Sequence, residues 1–137
     1  MKITARTEYA TLAALELALR EGSSHIQARK IAENQSIPLK FLEQILSQLR
    51  TAGLVRSVRG ASGGYSLARS ASEISLGDVV TAVEGDLGGT ESGIEDRAAL
   101  AVWQELQEEF LTRLASISLR DLVDRELKDR SIPNFQI

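Results

Sequence analysis

Hydrophobic residues recur at helical spacing through most of this sequence, and the first such segment covers residues 4–20. The segment has no Gly or Pro, is rich in Ala and Leu, and is followed by Gly22, which predicts a helix with a glycine just beyond its end. Its polar residues occupy one face, while apolar side chains cover most of the rest. We therefore expect this helix to be buried and to contact more than one neighbour.

Two further helical patterns follow, separated by a short turn. Residues 27–33 predict a short helix, residues 34–37 a turn, and residues 38–51 a third helix. Pro38 suits the start of that helix, because the missing N–H of proline is not needed there. Two helices joined by about four residues match the spacing of a helix-turn-helix.

The third helix carries two stripes of opposite character. Its apolar stripe repeats at i, i+3, i+4 and i+7 and should face the core: Leu42, Ile45, Leu46 and Leu49. Its polar stripe has the same spacing on another face: Lys40, Glu43, Gln44 and Ser47. Ammonium, carboxylate, amide and hydroxyl groups can each pair with a base edge or a phosphate. Any surface helix also has a polar outer stripe, so this pattern alone does not establish nucleic-acid binding.

A glycine-rich hairpin pattern follows the third helix directly. Residues 54–57 and 65–68 predict two short strands, bridged by the stretch VRGASGGYSL at residues 58–67. The three glycines of this stretch permit positive φ and a close approach of the backbone to another surface. The pattern predicts a β-wing with Arg59 near its tip.

The second half of the chain predicts three more helices. Ser75-x-x-Asp78 and Ser118-x-x-Asp121 each have the spacing of a capping box and each precede an apolar run. Between the two lie a glycine-rich acidic loop and a long helix from about residue 94 to residue 117. Apolar residues on the long helix recur at three- and four-residue steps, which predicts a seam for a partner helix. They are Trp103, Leu106, Phe110, Leu114 and Ile117.

Together these patterns predict a mainly α fold with a small β-wing. We expect a winged helix-turn-helix at residues 1–84, a glycine-rich loop at residues 85–93, and a C-terminal part at residues 94–137. That last part would hold the long dimerisation helix, a short final helix and an irregular tail from residue 129 onward.

Composition narrows the possible functions. The chain has no Cys and a single His, which excludes disulfides and thiolate metal sites and makes a histidine cluster or a Ser–His pair improbable. The stretches GASGG and GDLGG lack the Lys-Ser/Thr of a P-loop and the spacing of a dinucleotide-binding loop. We therefore expect no enzyme and no metal site. No segment has the pattern of a signal peptide or a membrane span, so we expect a cytoplasmic protein without a membrane partner.

Charge is divided unevenly along the chain. Residues 1–70 carry 10 Lys and Arg against 5 acidic residues, whereas residues 71–137 carry 6 against 14. A basic half beside an acidic half indicates that only the first half faces a polyanion. Two solvated faces of unequal sign would give the same counts, so charge leaves both interpretations open.

Three blocks of this sequence resemble the Rrf2 (Rrf-two) family of bacterial winged-helix transcription regulators. They read EYATLAALELA, IPLKFLEQILSQLRTAGLVRSVRGASGGYSLA and EISLGDVVTAVEG, and a weaker match resumes at LASISLRDLVDR. The block at residues 37–67 is the most specific, because helix-turn-helix proteins in general do not share it. The resemblance implies a homodimer whose long helix crosses its mate, and whose first helices pack near the partner.

The resemblance also implies double-stranded DNA as the partner, with the third helix in the major groove and the wing arginine in the minor groove. The matching positions on the helix are Pro38, Lys40, Phe41, Glu43 and Gln44, and those on the wing are Ser57, Arg59 and Gly60. Arg50 and Arg56 are further candidates for phosphate contacts.

One family property does not carry over to this chain. Many relatives bind an iron–sulfur cluster through cysteines in the loop that here reads GDLGGTESGIEDR, and this chain has none. Glu8 matches a position where some relatives supply a ligand, but one carboxylate without thiolates is too weak to hold a cluster. We therefore expect no cluster and no other cofactor.

The signal is then unassigned, and an unknown small molecule or partner protein could supply it. The alternative function is a winged-helix module for protein contacts, or a regulator controlled by a partner protein, with weak or conditional DNA binding. A module that binds only proteins has no need of Lys40, Gln44, Arg56 and Arg59 on both helix and wing, which favours DNA binding.

Overall fold

The computed structural model describes residues 2–94 and 96–131, which form helices around one core with a small hairpin at its side. In chain order the elements are α1 Ala5–Leu19, α2 Ala28–Gln35, α3 Leu39–Thr51, β1 Val55–Val58, β2 Gly64–Leu67, a 3-10 turn Ala71–Glu73, α4 Leu76–Glu84, α5 Ala98–Ser116 and α6 Leu119–Ser131. The predicted mainly α class with a β-wing is confirmed.

Helix α1 is the centre of the core, as its wide apolar surface predicts. It packs against α2, α3, α4, α6 and β2. Ala10, Ala13 and Ala14 are buried along it, and their small side chains let neighbouring helices approach closely. At its start, Thr4 accepts a hydrogen bond from the Thr7 N–H, which satisfies one of the free amides of the first turn.

Helices α2 and α3 form the helix-turn-helix. Helix α2 ends at Ser36, whose left-handed φ of 55° turns the chain, and Pro38 is the N-cap of α3. The predicted apolar stripe of α3 is fully buried: Leu42, Ile45, Leu46 and Leu49. Burial of this stripe leaves the opposite, polar face of α3 exposed to solvent.

The β1–β2 hairpin, called the wing below, is antiparallel and pairs Ser57 with Tyr65. Tyr65 also forms a bridge to Ile26 on its other side, so the segment before α2 continues the sheet. A Cβ at Gly63 would lie 2.1 Å from the Val58 carbonyl oxygen, and one at Gly64 would lie 2.4 Å from that of Ile26. These two glycines are therefore required by close backbone contacts within the chain itself.

Both predicted capping boxes form, one at the start of α4 and one at the start of α6. Ser75 and Asp78 exchange hydrogen bonds with each other's backbone N–H, and Ser118 and Asp121 do the same. Ser75 and Ser118 also face each other across an antiparallel bridge. The two helices thus begin side by side.

Helix α6 returns to the core and is longer than predicted. Leu119 and Val123 are buried with α1, so the core includes residues on both sides of the predicted boundary at residue 84. Residues 129–131, predicted as irregular, are helical, and Arg130 forms an ion pair with Glu126 one turn earlier. Residues 132–137 of the predicted tail lie outside the described residues. The domain boundaries themselves stay a prediction.

Candidate nucleic-acid interface

The exposed face of α3 presents the polar stripe that the sequence predicts. Lys40, Glu43, Gln44 and Ser47 are all exposed, while Pro38 lies exposed at the helix start. Four types of polar group are thus aligned on one face of a helix that is anchored by its buried opposite side. A helix of this kind fits the major groove of B-DNA, and its side chains can reach base edges.

Phe41 is held inside this surface by two neighbours from α1. The Tyr9 ring packs edge-on against Phe41, with 5.3 Å between centroids and an interplanar angle of 77°. The Arg6 guanidinium lies over the Phe41 ring, 5.9 Å from its centroid. Phe41 is half-buried, so the structure gives it a packing role beside its predicted DNA contact.

Arg6 is a candidate binding residue that sequence reasoning missed. Together with Lys40, Glu43 and Gln44, it lines a shallow groove along α3. The contact with Phe41 holds its guanidinium at the edge of the polar stripe. The helical spacing of Arg6 and Tyr9 was readable in the sequence, but their position against Phe41 depends on how α1 packs on α3.

The wing lies beside the end of α3 and is linked to it by a hydrogen bond. Arg50 Nη1, in the last turn of α3, donates to Ser57 Oγ at 3.2 Å. Arg59 and Gly60 follow at the exposed tip, where Gly60 has a φ of 112°. The structure therefore brings Arg50 and Ser57 together and presents Arg59 at the end of a short projecting hairpin.

Arg56 is on the opposite face of the wing from Ser57, because successive residues of a strand point to opposite sides. Its Nη2 donates to the Ala68 carbonyl oxygen at 3.2 Å, at the root of the hairpin. The structure does not bring Arg56 together with Arg50 and Ser57, and its phosphate contact stays a prediction.

A buried carboxylate, which the sequence analysis also missed, ties the helix-turn-helix to α1. Glu16 is only 6% exposed and accepts hydrogen bonds from Asn34 at 2.7 Å, Gln35 at 2.8 Å and Arg20 at 3.1 Å. Burial alone would raise the pKa of Glu16, but these three hydrogen bonds outweigh it and lower the pKa below its ordinary value. Glu16 therefore stays ionised and holds the end of α2, just before the turn into α3.

The predicted apolar seam of α5 is exposed to solvent in its first part and buried at its end. Trp103 is 60% exposed, the neighbouring Val102 is 51% exposed, and Leu106 and Phe110 are each 48% exposed. Leu114, by contrast, is buried where the end of α5 meets α4, and Ile117 is half-buried just beyond the helix. The exposed part of the predicted seam is thus its first three members.

The residues of this chain do not fit an iron–sulfur cluster. The sequence contains no Cys, and thiolates are the ligands by which proteins hold such clusters. Among the described residues, no group of three or more His, Asp or Glu side chains could hold a metal ion. Glu8, at the position where some relatives supply a cluster ligand, is exposed on α1.

Among residues 2–94 and 96–131, no helix is long and apolar enough to cross a membrane.

Comparison with known proteins agrees with this geometry. Residues 3–125 match the Rrf2 family, described as an iron-dependent transcriptional regulator. The Synechocystis protein slr0846, provisionally named an HTH-type transcriptional regulator, is 41% identical over 89% of this chain and 87% of its own length. The HTH-type transcriptional regulator IscR of Klebsiella pneumoniae is 37% identical over 92% of this chain and 82% of its own.

Solved structures show the same likeness. The global cysteine regulator CymR of B. subtilis superposes with a TM-score of 0.83 at 33% identity, over 91% of this chain and 98% of that one. IscR of T. potens superposes with a TM-score of 0.82 at 32% identity, over 98% and 94% of the two chains. The sequence match over nearly the whole chain and the shared winged-helix fold lead to one conclusion: this chain belongs to the Rrf2 family of transcription regulators.

Proposed function

We propose that this protein binds DNA sequence-specifically as a homodimer on a pseudo-palindromic operator. The observation that carries the proposal is the exposed polar face of α3 beside a wing with Arg59 at its tip. A helix and a hairpin placed in this way can enter adjacent grooves of one duplex. The family membership supports DNA as the partner.

In this proposal, side chains on the exposed face of α3 read the bases in the major groove. The Gln44 amide can hold adenine through two hydrogen bonds, and the Glu43 carboxylate can accept a hydrogen bond from the cytosine amino group. Lys40 can donate to guanine or to a phosphate one turn earlier on the same face. Each good base contact of this kind discriminates by about 1–3 kcal/mol.

Arg59 reads the minor groove in this proposal. A narrow A·T-rich minor groove has an enhanced negative potential, which attracts an arginine inserted into it. A short hairpin with an exposed glycine after the arginine presents little bulk, so its backbone can approach the sugar-phosphate chain.

The remaining predicted residues position the protein on the duplex. Arg50 and Ser57 share a hydrogen bond and face the gap between α3 and the wing, where both can reach one phosphate. Pro38 and Phe41 set the start of α3, and the Gly60 N–H is available at the tip. Arg56 would contact a phosphate only from the other side of the wing.

In this proposal, α5 forms the dimer interface. Exposed Val102, Trp103, Leu106 and Phe110 give this helix an apolar stripe, and contiguous exposed apolar stripes mark interaction surfaces. Packing against the same stripe of a second copy would bury it, and the two-fold axis would present two α3 helices to two half-sites. No cofactor is part of this proposal, and the effector is a small molecule or a partner protein.

The first experiment is selection of bound fragments from a random duplex pool by the purified protein at about 150 mM salt, without added metal. Enrichment of a palindrome is expected. Failure to enrich any sequence, from a folded dimer, would contradict the proposal and favour a module for protein contacts.

Two variants, each with a control, then test the minor-groove contact and the dimer interface, with the selected duplex as the DNA. Arg59→Ala should weaken binding about 10-fold on A·T-rich half-sites and less on others, while Arg120→Ala on α6 should change nothing. An equal loss of affinity on all sequences would make Arg59 a phosphate contact.

The dimer interface is tested by Phe110→Glu, which should convert the dimer to a monomer in light scattering, whereas Thr112→Glu on the same helix should not.

A further inference from the structure

A cavity of about 300 Å³ lies between the end of α1, the turn at residues 21–24 and the end of β2. Three guanidinium-bearing residues line it, namely Arg20, Arg56 and Arg69, and they come from three separate segments of the chain. Ser24 and Ser66 also line its wall. This volume is at the lower end of the range for small-molecule sites, which fits a compact ligand such as a small phosphate ester.

Each of the three arginines is held in place by a contact that leaves most of its donors unused. Arg20 uses its Nε on Glu16, Arg56 uses Nη2 on the Ala68 carbonyl, and Arg69 uses Nη2 on the Glu73 carbonyl at 2.9 Å. A guanidinium has five N–H donors, so each side chain is oriented but far from saturated. Oriented arginines suit planar, bidentate recognition of phosphate or carboxylate oxygens.

The charge balance of the lining favours an anion. Glu21 is the single carboxylate among the lining residues, against three arginines. Its Oε2 accepts a hydrogen bond from the Ala71 N–H at 2.6 Å, so this carboxylate already has a backbone partner. Glu16 pairs with Arg20 from outside the lining, so three guanidiniums stand against two carboxylates. The cavity therefore keeps a small net positive charge, together with hydroxyl groups that can complete the coordination of an oxyanion.

The cavity is separate from the α3 face of the proposed DNA surface, and Arg56 is the one predicted DNA-contact residue that lines it. The cavity shares no lining residue with the groove along α3. Arg56 also points away from the wing face that carries Ser57, the hydrogen-bond partner of Arg50 on α3. We propose that this cavity binds a small phosphate-bearing molecule, held by Arg20, Arg56 and Arg69.

Such a ligand would connect the wing to the core. Arg56 lies on the wing, Arg20 at the end of α1, and Tyr65 of the cavity wall forms the bridge to Ile26 just before α2. A phosphate held between these segments restrains the root of the hairpin that carries Arg59. The effect on DNA binding rests on the proposed function, whereas ligand binding to the free protein does not.

The test is an amide NMR titration of the free protein with inorganic phosphate and then glycerol 3-phosphate, at constant ionic strength with chloride as counter-anion. Saturable shifts at residues 20–24 and 65–70 are expected. Arg69→Gln should weaken both affinities at least 10-fold, while Arg120→Gln, an exposed arginine outside the cavity, should leave them unchanged. Shifts that do not saturate, or equal affinities in the two variants, would overturn the proposal.

A second arm distinguishes a free phosphate compound from the phosphates of DNA. If neither compound binds, and Arg69→Gln instead lowers DNA affinity on all sequences with a salt dependence reduced by about one ion, the cavity contacts DNA and the proposal is wrong. If phosphate binds but no duplex is selected, the cavity stands and the proposed DNA function fails.

Discussion

Replacement of Glu16 tests how the helix-turn-helix is fixed to the rest of the fold. In Glu16→Gln the new amide keeps one oxygen, which can still accept from Arg20 and Asn34, as Oε1 does in the wild type. The second oxygen, which accepts from Gln35, becomes an NH₂ group and faces a donor. The substitution therefore removes the charge and one acceptor while preserving the shape of the side chain.

The size of the effect follows from the number of hydrogen bonds. A hydrogen bond to a charged group contributes about 1.5–3 kcal/mol when buried, and the lower end applies here because Asn34 and Arg20 are partly in solvent. We expect Glu16→Ala, which removes all three bonds, to cost about 4–5 kcal/mol of unfolding free energy, and Glu16→Gln, which removes one, about 1–2 kcal/mol.

The pH dependence gives the sharper test. Because the folded-state pKa of Glu16 is lowered, its stabilising contribution is complete above the ordinary value of 4.5 and is lost as pH falls through the lower folded value. The stability difference between wild type and Glu16→Gln should be constant between about pH 6 and 8 and shrink below about pH 4.5.

Urea unfolding followed by circular dichroism measures these differences at each pH. Glu33→Gln is the matched control, since Glu33 is exposed on α2 and its nearest cation, Lys30, is 4.0 Å away. Equal stability of the two Gln variants at pH 7, or a Glu16→Gln difference that does not shrink in acid, would refute the reasoning.

Three more substitutions test other parts of the structure. Gly63→Ala should destabilise the fold by about 2–4 kcal/mol in thermal unfolding, because its Cβ would lie 2.1 Å from the Val58 carbonyl oxygen. Ser75→Ala should cost about 1 kcal/mol in the same assay, since it removes the cap of α4. Arg6→Ala should lower DNA affinity several-fold on all sequences and reduce the salt dependence by about one ion, because its guanidinium lies beside the α3 face.

The first two of these variants have matched controls, and the third has a contrary outcome. Gly60→Ala meets no atom within 4 Å, and its cost of about 1–2 kcal/mol comes from backbone strain at a φ of 112°. It should therefore cost less than Gly63→Ala, and a reversed order would contradict the packing argument. Ser62→Ala, at the exposed tip of the wing, should be neutral beside Ser75→Ala, and equal losses would contradict the capping argument. Loss of affinity in Arg6→Ala confined to particular bases would contradict a phosphate contact.

Local signals made much of the fold predictable. The two capping boxes are fixed by residues three apart, and the stripes of α3 by positions within two turns, so both could be read from the sequence. The specific block at residues 37–67 likewise indicated the family that the comparisons confirm.

Features that depend on distant residues could not be read in this way. Glu16 meets Asn34 and Gln35 only because α2 packs beside α1, and a lone Glu in an apolar helix does not reveal this. Gly64 was interpreted as freedom for the wing, whereas its fit against the Ile26 carbonyl requires the third segment of the sheet. The length of α6 was underestimated because its return to α1 is a tertiary contact.

The bridge between Ser75 and Ser118 has a consequence for how the chain can change over evolution. Because α4 and α6 begin at adjacent points, the segment between residues 75 and 118 leaves this point and returns to it. The segment contains α4, the glycine-rich loop and α5. The segment can lengthen, shorten or exchange its loop residues while its two ends stay fixed. A change in loop length there thus leaves the joined starts of α4 and α6, and the helix-turn-helix of α2 and α3, in place.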